Sequence, residues 1–204
     1  MDFAAFALAH VPSPPARVLE IGCGQGALAL ELAQAGYEVV AIDPEAPEGP
    51  IFRRVSLEDF DEPGPFATVV ASLSLHHIED LPAALDKIGA LLSPDGVLVL
   101  GEFAHDRLDE ATAGWFWGQR RAGGTAAPDS PSELSAEWAA EHEGLHGYER
   151  MSRELGLRFR ERHFSWEPYL YRLLDGVADE ASERSLIESG AIQAIGFRYV
   201  GEPR

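Results

Sequence analysis

The sequence predicts an α/β fold, a doubly wound and mostly parallel sheet with helices on both faces. Three observations carry that prediction. Short apolar runs alternate with segments of helical periodicity through the first half of the chain. The first of these runs ends in glycines and passes directly into a helical segment. The run at 67–71 is apolar nearly throughout, as in a strand buried on both faces.

The elements follow in order. Phe3, Phe6, Ala7 and His10 share one face of an opening helix. Pro12, Ser13, Pro14 and Pro15 form a loop. Arg17–Ile21 is the first strand. A helix over 26–35 repeats through Leu28, Leu32 and Ala35 and stops at Gly36. The second strand, 38–42, is closed by Asp43 and Pro44, and 51–55 is a third. The link 44–50 holds three prolines and a glycine, too short for the dozen or more residues of a parallel crossover, so a loop is expected there. The fourth strand is 67–71. A helix over 81–92 starts from Asp80 as N-cap with Pro82 in its first turn. A turn at 93–96 leads to the fifth strand, 97–100. Beyond Phe103, helices are expected over 105–117, 134–146, 148–155 (ended by Gly156) and 183–189, with strands at 158–166 and 192–200. A loop at 122–131 divides the two halves.

Composition narrows the function. The chain has 204 residues, 46% apolar and 25% charged, which describes one ordinary globular domain. Lys and Arg number 16 against 34 Asp and Glu, a formal charge of −18. That surface repels phosphate backbones and anionic lipid, so neither nucleic acid nor membrane is expected as a partner. No apolar run approaches the roughly 20 residues needed to span a bilayer. The N-terminus lacks a basic segment ahead of its apolar residues and is a poor secretion signal. Cys23 is the one cysteine, which excludes an intrachain disulfide, and a cytoplasmic location is expected.

The segment Val18-Leu19-Glu20-Ile21-Gly22-Cys23-Gly24-Gln25-Gly26 carries the functional signal. Glycines there let the backbone turn tightly and let a ligand approach closely. The loop lies at the carboxyl end of the first strand, where open α/β sheets bind ligands. A dinucleotide fingerprint is G-x-G-x-x-G, but the spacing here is G-x-G-x-G. Glu20, two residues before the first glycine, would repel a pyrophosphate and suit a cation. Asp43, at the end of the second strand, can accept hydrogen bonds from both hydroxyls of a ribose. The combination favours a positively charged adenosine ligand without phosphate.

These residues resemble the class I S-adenosylmethionine-dependent methyltransferases. Val18 to Gly26 is similar to the family's first motif, and Asp43 to its ribose-binding acid. Residues 66–78 resemble the fourth strand and its loop, and 91–99 the turn into the fifth strand. The final 195–200 resembles the family's antiparallel last strand. The resemblance implies a Rossmann-like methyltransferase fold with seven strands. It implies S-adenosylmethionine as cofactor and S-adenosylhomocysteine as its product; the charge of −18 favours a small-molecule acceptor over nucleic acid, and a protein acceptor stays open. Gly22 and Gly24 would lie against the cofactor, Glu20 would face its methionine part and Asp43 would hold the ribose. Leu57 and Glu58 would border the adenine, and Ser72 and Leu73 would meet the methionine end through their backbone. Ser56 stands where the family often has Asp. The chain reads as a single methyltransferase domain, 1–204, with a mainly helical insertion around 104–157 as the candidate cover of the substrate site.

For proton removal from an acceptor, the candidates are His105, after the fifth strand, and His77, after the fourth. An imidazole near its ordinary pKa of about 6.5 suits that task. The competing reading of His76 and His77 is that they shape their loop through backbone hydrogen bonds. His142 and His146 have i, i+4 metal-ligand spacing, with Glu149 or His163 as possible third ligands. A half-buried amphipathic face is the preferred reading of that pattern, and no metal is expected. Trp166, Tyr169 and Tyr171 read equally well as pocket or core. Arg150, Arg153, Arg158, Arg160 and Arg162 read as a solvated face, with pairing to surplus carboxylates or to an anionic substrate as alternatives. Two other functions compete with methyl transfer: a non-catalytic cofactor-binding partner or regulator, and a nicotinamide-dependent oxidoreductase. The glycine spacing and Glu20 argue against the latter.

Overall fold

The computed structural model describes residues 2–124 and 127–204. Met1 of the N-terminal segment, and Thr125 and Ala126 of the expected loop 122–131, lie outside them. The chain divides into two compact units. One comprises the residues up to Glu102 with Met151–Phe164 and Arg198–Arg204; the other comprises Phe103–Arg150 and Ser165–Phe197.

The strands are β1 (Arg17–Ile21), β2 (Glu38–Ile42), β3 (Phe52–Arg53), β4 (Phe66–Ser72), β5 (Leu92–Phe103), β6 (Phe159–Glu167) and β7 (Gly196–Pro203). They form one seven-stranded sheet in the order β3-β2-β1-β4-β5-β7-β6. β1 pairs in parallel with β2 (Leu19 opposite Val40) and with β4 (Leu19 opposite Val69), and β4 with β5 (Val70 opposite Val99). The Ala104 amide donates to the Ile195 carbonyl, so the end of β5 meets the start of β7. The Arg204 amide donates to the Arg158 carbonyl, so the end of β7 meets the start of β6. The last strand therefore runs antiparallel to both neighbours, as the sequence resemblance implies.

In the first unit, α1 (Phe3–His10) starts at Asp2, whose carboxylate accepts the Ala5 amide at 2.8 Å. Beyond the glycine turn comes α2 (Ala27–Gln34). Phe6, Leu32, Val18, Val70 and Val99 belong to one buried cluster, which ties α1 and α2 to the middle of the sheet. α3 (Leu81–Leu91) has the expected cap: Asp80 accepts the Ala83 amide at 3.1 Å, and proline sits in the first turn. Arg158, at the end of α6 (Tyr148–Arg158), bridges Asp86 of α3 at 2.6 Å and Glu154 at 2.8 Å. Arg160 and Arg162 both pair with Glu202. The basic stretch thus meets surplus carboxylates, the alternative to a bare solvated face.

Several boundaries differ from expectation. No helix forms between β2 and β3, as the prolines require, but β3 is only two residues long. Its Phe52 ring fills the space beside two glycines. A Cβ on Gly26 would stand 2.5 Å from that ring, and one on Gly49 2.9 Å. The expected turn at 93–96 is a bulge inside β5: Leu92 faces Phe66, yet Val97 already faces Thr68. α6 runs through Gly156, whose absent side chain leaves no neighbour within 4 Å.

In the second unit, His105–Arg107 is one 3₁₀ turn, and α4 (Glu110–Ala122) begins only after Asp109, which caps it by accepting the Thr112 amide. α5 (Pro131–Glu141) ends before the expected His146. Gly144 follows with a left-handed φ of +86°, which breaks the helix. The segment before α7 (Glu180–Glu188) is anchored by the buried Glu183 carboxylate, which accepts the amides of Tyr169, Leu170 and Tyr171 at 2.9, 3.1 and 2.7 Å. Phe103 stacks on Tyr169 at 4.7 Å and meets Trp138 edge-on at 5.9 Å.

Leu19 is fully buried in the strand flanked on both sides, whereas Leu157 is 65% exposed. Leu19→Ala is expected to cost about 2–5 kcal/mol in urea denaturation. Leu157→Ala should stay within about 0.5 kcal/mol of the parent.

Candidate functional site

A cleft of about 310 Å³ opens at the carboxyl ends of β1, β2 and β4. That size is at the low end of the range for small-molecule sites, roughly 300–1,000 Å³. β1 ends in Ile21 and leads into Gly22, and β2 leads into Asp43 and Pro44. Val55, Ser56, Leu57 and Glu58 form a second wall. Leu73, Ser74, His77, Ile78 and Glu79, after β4, form the third.

The glycines of the loop serve different ends. Gly22 has φ +70°, and a Cβ there would stand 2.0 Å from the Ser74 hydroxyl oxygen. Internal packing therefore requires glycine at that point. Gly24 has φ +50°, and a Cβ there would meet nothing within 4 Å. Its backbone conformation favours glycine, and the open space beside it is room for a ligand. The Gly24 amide donates to Asp43 Oδ2 at 3.0 Å, while Asp43 Oδ1 accepts the Glu45 amide at 2.8 Å. Asp43 is thus an Asx-turn residue, and it also pins the glycine loop and lines the cleft. Each of its oxygens retains a second lone pair for another donor.

Glu20 is buried, and among the described residues its Oε2 has no hydrogen-bond partner. Burial pushes its pKa up to about 8; the Ala29 amide opposes the rise and the Asp43 charge adds to it. The carboxyl is therefore mostly neutral at pH 7. Cys23 is pushed up to about 12, first by burial and then by Glu20 and Asp43. It stays a thiol, in keeping with a small loop residue and not a nucleophile.

The two adjacent histidines divide their roles. His76 is buried and its Nδ1 donates to Glu102 Oε2 at 2.7 Å, so it shapes the loop. His77 lines the cleft. Its pKa is held below the ordinary value by burial, with His76 adding to the shift and Glu102 opposing it.

Of the residues expected from sequence, Gly22, Asp43, Leu57, Glu58, Leu73 and His77 line one cleft. Gly24 joins through its bond to Asp43, and Glu20 lies one residue before the lining Ile21. Ser72 is not among the lining residues; its carbonyl accepts the Ser74 hydroxyl at 2.9 Å. His105 belongs to the second unit, where its carbonyl accepts Trp138 Nε1 and its ring stacks on His142 at 5.4 Å. His142 Nδ1 lies 2.6 Å from the Trp138 carbonyl, and no group of three potential metal ligands assembles among the described residues. Sequence reasoning missed Ser74 and Glu102. A carboxylate near the end of a largely apolar strand was the unused signal for Glu102.

Comparison with known proteins bears on this geometry. Residues 2–149 match a methyltransferase domain family. An uncharacterized methyltransferase of Mycobacterium tuberculosis is 34% identical over 110 residues, 47% of this chain and 54% of that protein. A ubiquinone biosynthesis O-methyltransferase of Xanthomonas campestris is 36% identical over 115 residues, 49% of this chain and 47% of that protein. The matches span about half the length of these curated relatives. Among solved structures, an S-adenosylmethionine-dependent methyltransferase from Mesorhizobium loti aligns with TM-score 0.63 and 18% identity over 98% of this chain and 96% of that one. The 1,6-didemethyltoxoflavin-N1-methyltransferase of Burkholderia thailandensis, solved with its substrate and S-adenosylhomocysteine, aligns with TM-score 0.59 and 16% identity over 98% and 76%. At such identities these structures speak for the fold, and the family match covers well over half of the chain. The chain belongs to the class I S-adenosylmethionine-dependent methyltransferase family.

Proposed function

We propose that the chain binds S-adenosylmethionine in the cleft after β1, β2 and β4 and transfers its methyl group to a small-molecule acceptor. One observation carries this reading: Asp43, Leu57, Glu58 and Leu73 line a single cleft beside a buried carboxyl, Glu20, that has an oxygen without a partner. The residues present fit the cofactor. Asp43 keeps lone pairs for ribose hydroxyls, Gly24 leaves space for close approach, and Glu20 offers an acceptor to a cation. When bound, the cofactor supplies a sulfonium methyl already activated toward nucleophilic attack.

The chain's own contribution is binding, orientation and proton handling. Asp43 holds the ribose while keeping the glycine loop in place. Leu57 and Glu58 border the adenine. Leu73 meets the methionine end through its backbone. His77, neutral at physiological pH because its pKa is depressed, takes the proton from an acceptor that must lose one. We assign this role to His77 and not His105 because His77 lines the cleft. The formal charge of −18 favours a small acceptor over nucleic acid. The toxoflavin-precursor enzyme and the geranyl diphosphate C-methyltransferase among the structural neighbours act on small molecules, which supports that choice. No helix among the described residues is long and apolar enough to cross a membrane.

Calorimetry tests the reading. Asp43→Ala should weaken S-adenosylhomocysteine binding by about 10–100-fold, the value of one or two charge-assisted hydrogen bonds. A folded parent protein that binds neither S-adenosylmethionine nor S-adenosylhomocysteine overturns the proposal. A second test uses pH. A cation beside Glu20 favours its ionised form, so binding below pH 8 should release protons. Affinity should rise with pH and level off above about 8. Proton release measured in buffers of different ionisation enthalpy should disappear in Glu20→Gln. His77→Gln should lower kcat by about 100-fold with an oxygen acceptor while leaving cofactor affinity within a few-fold.

A further inference from the structure

We propose that Glu102 is a positioning residue: its carboxylate, at the end of β5, fills a nest of backbone N–H groups after β4 and so fixes both the glycine loop and His77 in the cleft wall.

The geometry begins at Leu73, which has φ +52°, a conformation unfavourable for leucine. A left-handed residue turns successive amides toward one side, where they can hold an anion. The end of β5 meets those amides in sequence. The Leu73 amide donates to the Gly101 carbonyl at 2.8 Å, and the Ser74 and Leu75 amides donate to Glu102 Oε1 at 2.8 and 2.6 Å. The other oxygen, Oε2, accepts from His76 Nδ1 at 2.7 Å. Four consecutive residues are therefore gripped by two residues of one strand. Glu102 is 2% exposed, and a carboxylate so buried requires donors at both oxygens. The left-handed Leu73 is the conformation that supplies them.

Two walls of the cleft depend on this grip. Through Ser74, the turn abuts β1: its one hydroxyl proton is shared between the Ser72 carbonyl at 2.9 Å and the Ile21 carbonyl at 3.1 Å, and its oxygen stands where a side chain at Gly22 would be. Through His76, the turn holds His77, since the two rings stand 4.1 Å apart. His77 shares the cleft with Asp43, Glu58 and Glu79, and its charge state also responds to His76 and Glu102. The part of the proposal that concerns His77 as a base rests on the methyltransferase reading; the grip on the turn does not.

Glu102→Gln and Glu102→Ala separate these roles. In Glu102→Ala, hydrogen exchange at the Ser74 and Leu75 amides should quicken by about tenfold or more, and S-adenosylhomocysteine affinity should fall by a similar factor. In Glu102→Gln, the shape survives but the charge is gone. The imidazole resonances of His77 should titrate at lower pH than in the parent, and kcat should fall more than cofactor affinity. Arg158→Ala, which removes an ion pair between α3 and α6, serves as the control and should move neither readout. Unchanged exchange at both amides in Glu102→Ala, or an unchanged His77 titration in Glu102→Gln, overturns the proposal. If Glu102→Ala does not fold, Glu102→Gln decides alone by the His77 titration. A parent that binds no S-adenosylhomocysteine, in which both readouts still respond to these substitutions, defeats the cofactor assignment and leaves the positioning role intact.

Discussion

The cleft exists because the chain reverses its lateral direction at β1. β1, β2 and β3 are laid down toward one edge of the sheet, and the chain then returns to place β4 on the other side of β1. Loops leaving the carboxyl ends of β1 and β4 are consequently sent to opposite faces, and a crevice must open between them. The residues that line the cleft cluster at that point. Asp43 reaches in from β2, Gly22 and Gly24 bend back above β1, and the turn after β4 closes the far side. The same constraint explains why the two adjoining loops touch at Gly22 and Ser74: side by side at a parallel seam, they have room for one hydroxyl and no methyl group.

The electrostatics of the crevice follow from its depth. Glu20 sits on the buried strand, where desolvation outweighs the single amide from α2 that would favour its charge. Asp43, one strand over, is held by two backbone amides. Two neighbouring carboxyls thus sit in different environments, one desolvated on its strand and the other held by backbone amides. The large acidic excess of the chain is a separate matter. Part of it is met by Arg158, Arg160 and Arg162 through Asp86, Glu154 and Glu202.

Much of this was legible in the sequence because the relevant signals are local. The glycine turn, Asp43 after the second strand and Asp80 before α3 each announce themselves within a few residues. The seven strands and the antiparallel last strand followed from the family resemblance; the strand order came from the structure. What was not legible depends on partners distant along the chain. Ser74 and Glu102 lie 28 residues apart and acquire meaning only when β4 and β5 pair. The end of α5 at Glu141 was overrun because Trp138, His142 and His146 imitate a helical face, while Gly144 decides the matter by its backbone conformation. The length of β3 was overstated for a similar reason: Ile51 to Val55 has strand-like composition, but only Phe52 and Arg53 pair in register with β2.

Phe52 shows how an edge strand of two residues can still be well placed. Its ring occupies the volume beside both Gly26, at the entry to α2, and Gly49, in the proline-rich link. A methyl group at either position must displace the same ring. Once the ring has left, the second glycine no longer confronts it. Substitutions at 26 and 49 should therefore be epistatic, their joint effect smaller than the sum of the separate ones. Two positions 23 residues apart in the chain form a single packing unit through an aromatic side chain that belongs to neither.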